Sequence, residues 1–266
     1  MQVIIRPTQD DASRLAARLI AKAVRASPGL VLGLATGRTM ERLYALLAAM
    51  HRDEGLDFSL CRTFNLDEYV GLPPSHESSY RYYMDEHLFR HINIDPRNTH
   101  LPDGMATDLA AECWRYEEVI AGNGGIDLQL LGIGRAGHIG FNEPLSALRS
   151  RTRDKSLTPV TIAENSTLFK DPSTMPRRAL TMGVGTILEC KRLILLVTGG
   201  SKAPVLAKAV EGPVTSMISA SAIQLHPSCT VIADEDAAED LQEKDYYRWI
   251  FENEPEWEEF RRESPR

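Results

Sequence analysis

The chain has only four cysteines, Cys61, Cys113, Cys190 and Cys229, and no two of them form a CxxC pair. Such spacing makes neither a disulfide framework nor a thiolate zinc site, so reduced thiols and no metal are expected. No apolar run approaches the roughly 18 residues that a bilayer-spanning helix needs. The start, MQVIIRPTQD, lacks the basic and apolar regions of a signal peptide, and a cytoplasmic protein is expected. A basic block is missing as well: 30 Lys plus Arg face 37 Asp plus Glu, for a formal charge of −7. Most of the excess acid lies at one end, where residues 234–266 hold 13 acidic and 5 basic side chains. The remaining body is close to neutral, which excludes an obvious nucleic-acid or membrane footprint but leaves room for a small anion held by a few local donors. Internal repeats and low-complexity segments are also absent, so solenoid and disordered classes drop out.

What is present fits one well-buried core: 266 residues, 43% of them hydrophobic. Continuous apolar runs occur as VII at 3–5, LVLGLA at 30–35, CRTFNL at 61–66, IDLQLLGI at 126–133 and RLILLVTG at 192–199. Runs of that kind predict strands covered on both faces. Between the first two, Leu15, Leu19 and Ala23 recur four apart, behind a Thr8/Asp11 capping pair. Helical patterns recur around 40–52, 78–90, 106–121 and 201–210. The alternation predicts a single α/β domain with a mostly parallel sheet and helices on both faces. Residues 144–178 break the rhythm, being polar and containing Pro159, Pro172 and Pro176; a lid and an ordinary surface excursion both fit. In the acidic tail, 234–266, Tyr247, Ile250 and Phe251 fall at helical spacing and predict a docked helix with a solvated acidic face.

Two loops could hold an anion. TGRTM follows the strand ending near Ala35 and leads into a helix, so Thr36, Gly37, Arg38 and Thr39 combine helix-start amides, hydroxyls and a positive charge. A bare strand-to-helix turn explains that stretch equally well, and it matches neither GxGxxG nor GxxxxGK[ST]. VTGGSKAPV repeats the arrangement and places Lys202 beside paired glycines. Loops at the carboxyl ends of parallel strands can converge on one ligand.

Chemistry is carried by two further segments. FNLDEYVGL sets Asp67 and Glu68 just after a buried strand, where adjacent side chains point oppositely, so one of the two is expected to face a pocket. A capping or surface role for Asp67 is the alternative. GIGRAGHIGFNEP supplies closely spaced glycines around His138, with Glu143 placed to orient it. His226, in QLHP, has no polar constellation in the sequence and is expected to end or cap an element. Two acid–base sets on different strand ends suit a reaction with two proton-transfer stages, such as opening a sugar ring and then moving a proton between adjacent carbons.

The chain resembles glucosamine-6-phosphate deaminases through TFNLDEYVGL at 63–72, HESSYRYYMDEHLF at 76–89 and GIGRAGHIGFNEP at 132–144, and the similarity continues through SRTR, LTMGVGTIL and SAIQLHP. It covers almost the whole chain apart from the tail. The resemblance implies a modified Rossmann-like α/β fold and conversion of glucosamine 6-phosphate and water to fructose 6-phosphate and ammonia without a cofactor. It implies that Asp67 is the enolisation base and His138 the ring-opening acid–base oriented by Glu143. Thr36 to Thr39 and Lys202 match the family's phosphate loops. Ser146, Arg153 and Lys155 match positions that form an allosteric N-acetylglucosamine 6-phosphate site in some members. Those members are hexameric and others are not, so a homo-oligomer is one expectation.

Three departures stand out. The family usually has Asp or Asn two positions before its histidine, where this chain has Ala136, which makes no side-chain hydrogen bond. Many members carry a phosphate-binding Arg after an ANS-like stretch, where ENSTLF puts Thr167; TGRTM replaces TGGTP, so Arg38 could supply the missing charge. The competing readings are a 6-phosphogluconolactonase-like hydrolase, which needs no carbon-acid base, and a noncatalytic sugar-phosphate sensor.

Overall fold

The apolar runs become the inner strands of one sheet and the amphipathic runs between them become its covering helices, in a computed structural model that describes residues 1–261. Residues 262–266 of the expected tail lie outside the described residues. Chain order is β1 (Gln2–Arg6), α1 (Gln9–Ala26), β2 (Val31–Leu34), α2 (Arg38–Glu54), β3 (Arg62–Asn65), β4 (Asp67–Tyr69), α3 (Tyr80–His87), β5 (Thr99–His100) and α4 (Leu109–Gly122). It continues with β6 (Leu128–Leu131), β7 (Arg153–Ser156), α5 (Pro159–Asn165), β8 (Arg178–Thr181), α6 (Val184–Leu188), β9 (Leu193–Val197), α7 (Ala203–Val210), β10 (Cys229–Asp234), α8 (Lys244–Asn253) and α9 (Glu258–Arg261).

The main sheet has the order β1-β10-β9-β6-β2-β3-β5, and every pairing in it is parallel. Helices cover both faces, giving the Rossmann-like α/β architecture. At the front of α1, the Thr8 hydroxyl accepts the Asp11 amide at 3.1 Å and donates to the Asp11 carboxylate at 2.6 Å, so the expected pair caps the helix, with Asp11 bonded to the hydroxyl and not to the Thr8 amide that Glu reaches in a full capping box. Two strands of this sheet were not foreseen: β5, at its edge, and β10, which fills the place between β1 and β9. Its end, Asp234, was counted with the acidic tail; the structure makes it a buried strand residue.

A smaller antiparallel sheet, β4-β8-β7, sits beside the first. The segment 144–178 contributes β7 and α5 to this region, and two of its three prolines, Pro159 and Pro172, start helical turns rather than prevent them. Pro159 occupies the first turn of α5 behind a Thr158 cap, a place where its missing N–H costs nothing. Leu157, Phe169 and Met175 pack with Tyr69, Leu72, Phe141 and Ala179 into a second apolar cluster that anchors the segment. At the other end of the chain α8 docks on β1, burying Tyr247, Ile250 and Phe251, with the Arg6 guanidinium 4.5 Å above the Phe251 ring. All four cysteines are buried and unpaired, and no helix among the described residues is long and apolar enough to cross a membrane.

Candidate active site

Four neighbouring strands, β9, β6, β2 and β3, run in one direction, so the loops that leave their carboxyl ends open on the same side. The direction of strand order changes there, as the chain goes from β2 outward to β3 on one side while β6 lies on the other; such a crevice is the usual ligand site of a parallel sheet. The loops line one cavity of about 840 Å³ whose walls include Thr36, Gly37, Arg38 and Thr39 after β2, Asp67 after β3, His138 after β6 and Lys202 after β9. The structure therefore brings together every residue expected to bind phosphate, and two of the three expected to do chemistry; Glu143 stands behind His138.

The phosphate end is assembled first by backbone. Gly37 precedes α2 with φ 120° and Gly199 follows β9 with φ 87°, conformations that an L side chain rarely adopts, and neither offers a side-chain cap. The leading amides of α2 are thereby left for an anion. The two loops are tied to each other and to the body: Thr39 and Thr198 hydroxyls lie 3.3 Å apart, Tyr83 donates to the Gly37 carbonyl at 2.8 Å, and Gly199 donates to the Asp234 carboxylate at 3.0 Å. Arg38 is exposed at the mouth, with no ion pair among the described residues, whereas the Lys202 side chain is only 19% exposed. Burial lowers the Lys202 pKa and the nearby Glu164 carboxylate opposes that shift. Thr167 stands exposed at the rim, its hydroxyl given to the Glu164 carbonyl at 2.9 Å.

At the reacting end, Asp67 is 6% exposed and its carboxylate has no hydrogen-bond partner among the described residues. Burial, followed by the adjacent Glu68 charge, raises its pKa to about 8. Glu68 points the other way and accepts the amides of Tyr69, Tyr80 and Arg81 at 2.8, 3.0 and 2.9 Å. The capping role weighed for Asp67 thus belongs to Glu68, which closes the start of α3.

His138 is held by shape and by one charge. A Cβ on Gly134 would fall 2.0 Å from its Nε2, so only glycine lets the ring lie there. Its Nδ1 is 3.4 Å from Glu143 Oε2, near enough for charge pairing but outside aligned hydrogen-bond geometry. Burial would raise the Glu143 pKa, but the approach of His138 and Thr161 and a 3.2 Å bond from the Thr158 amide outweigh it and bring it to about 2. Glu143 is therefore a fixed anion, and the formed bond is the one from Thr158; with Ala136 on the loop, no second acceptor among the described residues reaches His138 Nδ1.

Several contributors escaped sequence reasoning. Tyr69, Tyr80 and Phe141 form an aromatic wall, with Tyr80 and Phe141 stacked at 6.0 Å, and Asn165 of α5 donates to the Tyr69 hydroxyl at 3.2 Å. The signal was the tyrosine density of YRYY, which says nothing of direction. Asn142 is buried and fastens the loop that carries His138 by donating to the Ile139 and Met182 carbonyls at 2.8 and 2.9 Å.

Ser146 and Arg153 meet away from the cavity. The guanidinium donates to the Ser146 hydroxyl and to Asn142 Oδ1, each at 3.0 Å, and Lys155 lies two residues along the same face of β7. His226 is buried, with Nε2 2.7 Å from the Cys190 carbonyl and Nδ1 accepting the Ser228 amide, a structural role as expected.

The family model for glucosamine-6-phosphate isomerases and 6-phosphogluconolactonases matches residues 7–232. A glucosamine-6-phosphate deaminase of Hahella chejuensis is 49% identical over 250 residues, 94% of this chain and 95% of the relative. A solved structure described as a monomeric glucosamine-6-phosphate deaminase is 44% identical, covers 90% of this chain and 100% of its own, and superimposes with a TM-score of 0.89. The 6-phosphogluconolactonase from Trypanosoma cruzi, at 20% identity over 91% of this chain and 97% of its own and a TM-score of 0.71, shares the fold alone. By its motifs, its fold and these similarities, the chain belongs to the glucosamine-6-phosphate deaminase family.

Proposed function

We propose that the chain is a cytoplasmic glucosamine-6-phosphate deaminase in which Asp67 moves the C2 proton and the His138–Glu143 pair opens the ring. One observation carries the reading: a carboxyl group with its pKa raised to about 8 lies buried at the reacting end of a cavity whose other end is built for phosphate. Such a group is poised to take a proton from carbon near neutral pH. Phosphate held by the α2 amides, Thr39 and Lys202 fixes the sugar so that its first carbons reach Asp67 and His138.

The steps balance without a redox cofactor. His138 takes the proton of the C1 hydroxyl and delivers it to the ring oxygen as the C1–O5 bond breaks, leaving an open aldehyde. Glu143 stabilises the imidazolium formed in between. Asp67 removes the C2 proton while the C1 carbonyl oxygen takes up a proton given up by the C2 ammonium, giving an enolamine across C1 and C2, and Asp67 then returns its proton to C1. The nitrogen at C2 becomes an iminium; water adds to C2, and ammonia leaves as the C2 carbonyl forms. C1 is reduced and C2 oxidised within one molecule.

Residues 1–266 act in this reading as one catalytic domain, with 144–178 as a lid anchored by its own apolar cluster and 234–266 as an acidic tail. Ser146, Arg153 and Lys155 form a second anion subsite, supported by the contact of the Arg153 guanidinium with the Ser146 hydroxyl and by Lys155 lying two residues along the same face of β7. Supplying glucosamine 6-phosphate and 6-phosphogluconolactone in parallel separates the enzyme classes. Ammonia release with the lactone left unopened is expected. Opening of the lactone without ammonia release would move the chain to the hydrolases, and binding with neither reaction would make it a sensor.

A further inference from the structure

Glu164 brings a negative charge into the phosphate end of the cavity, where an anionic substrate should not welcome it. Its side chain is 30% exposed near the end of α5, and a single oxygen, Oε1, lies 3.5 Å from Lys202 Nζ and 3.6 Å from Arg135 Nε. All three residues line the cavity, along with Thr167, and the two cations come from loops that leave neighbouring strands, β9 and β6. Arg135 is 63% exposed and has no other ion pair among the described residues, so its charge is free to turn toward the cavity. A shared oxygen at these distances marks a place between two cations where an anion is stabilised.

We propose that Arg135 is a second phosphate-gripping cation and that Glu164 is an internal counter-ion, displaced from Lys202 and Arg135 when the substrate phosphate arrives. The proposal rests on the sugar-phosphate reading above and names specificity-determining residues that reading does not use. Lys202 is largely desolvated, and in the unliganded site Glu164 supplies the opposite charge it needs. A phosphate dianion carries more charge and more acceptor oxygens than the carboxylate, so it wins the exchange, but each binding event first breaks two ion pairs. Glu164 thus lowers phosphate affinity, and Arg135 raises it in the absence of an arginine at position 167. Because Glu164 belongs to α5 and Asn165 beside it holds Tyr69, displacement is felt by the lid.

The sign of one substitution separates this from a merely structural latch. Binding of inorganic phosphate to the full chain is measured by calorimetry, with no turnover involved, and compared with inhibition of ammonia release by inorganic phosphate. Glu164→Gln and Glu164→Ala are both expected to tighten phosphate about five- to tenfold, as removal of a close like charge from a partly buried site should. Arg135→Gln is expected to weaken it about tenfold. A latch predicts the opposite sign at 164, because a loosened lid binds less well. Unchanged or weaker phosphate binding in both position-164 variants, with their melting temperatures intact, overturns the proposal, as does unchanged binding in Arg135→Gln. Loss of the deaminase reading would appear differently, as absent turnover with these phosphate shifts preserved.

Discussion

Asp67 is asked both to stay in a folded core and to hold a charge. In the unfolded chain its carboxyl ionises at the ordinary value of 3.8, and in the folded protein at about 8. Between those values the folded state keeps a proton that the unfolded state releases. Stability from this group is therefore full below about pH 4 and is lost as pH rises through about 8. Asp67→Asn should cut turnover about 10²–10⁴-fold yet stabilise the fold, by a margin that grows from near zero at pH 4 to about 3–5 kcal/mol at pH 9. Thermal melts of the two proteins across that range check it; a constant margin would contradict the burial argument. Ala136 makes a second residue-scale case. His138 Nδ1 has only Glu143 nearby, at 3.4 Å, so Ala136→Asp should add an acceptor and raise the rate of ring opening about three- to tenfold. Stopped-flow appearance of the open-chain product reads that directly, and a slower variant would show that Glu143 alone is the better orienter. At this scale the sequence was most legible where side chains are chemically rare: a histidine among glycines, or two acids after an apolar strand. The sharing of labour between Asp67 and Glu68 was not, because it depends on which amides lie within reach, and Tyr80 and Arg81 are twelve and thirteen residues away.

Elements turn those residues into a site. The start of α3 is closed by Glu68, and α3 in turn carries Tyr80 into the aromatic wall and Tyr83 onto the Gly37 carbonyl. Glu68→Gln exchanges one acceptor oxygen for a donor facing backbone amides, so it should cost about 1–3 kcal/mol in urea unfolding and raise KM through the loosened Gly37 loop. A variant with unchanged stability and KM would separate α3 from the phosphate loop. The strands read correctly, β1, β2, β3, β6 and β9, are continuous apolar runs. Most of those missed are short or polar: β7 is RDKS, β8 is RALT, and β4 and β5 have three and two residues; β10, CTVIAD, has only a three-residue apolar run, bounded by Thr230 and Asp234. Pairing partners make such segments into strands, and periodicity cannot reveal partners. The segment 144–178 misled for a related reason, since Pro159 and Pro172 serve as helix starts.

Across the whole molecule, a parallel sheet with all its working loops on one side leaves the opposite side and the edges for other tasks. The tail uses one edge, where α8 buries three side chains against β1; its outer face is not the acidic one expected, since Asp245 and Glu252 are matched by Lys244 and Arg248, and the stacked rings of Tyr246 and Trp249 stand exposed there. The Ser146–Arg153–Lys155 cluster uses another place, joined to the catalytic loop through Asn142. If that cluster takes an anion, Arg153 must exchange Ser146 or Asn142 for the ligand, and the loop holding His138 and Glu143 should respond. N-acetylglucosamine 6-phosphate should then lower the KM for glucosamine 6-phosphate at least twofold, an effect lost in Arg153→Gln; an equal KM with and without it would leave the cluster a structural fastening. Mass in solution, measured with and without that ligand, decides whether subunits assemble around it. None of this is visible in composition, since near-neutral charge over the body excluded only large anionic partners.

In the proposed reaction Asp67 performs the proton transfer by which glucosamine 6-phosphate becomes fructose 6-phosphate and ammonia. The direct measurement is ammonia and fructose 6-phosphate assayed together from glucosamine 6-phosphate, for the natural chain and for Asp67→Asn at matched folded concentration. Equal amounts of the two products from the natural chain, and about 10²–10⁴-fold less of both from the variant, are the predicted result. Products in unequal amounts, or a variant that turns over as fast as the natural chain, would contradict it.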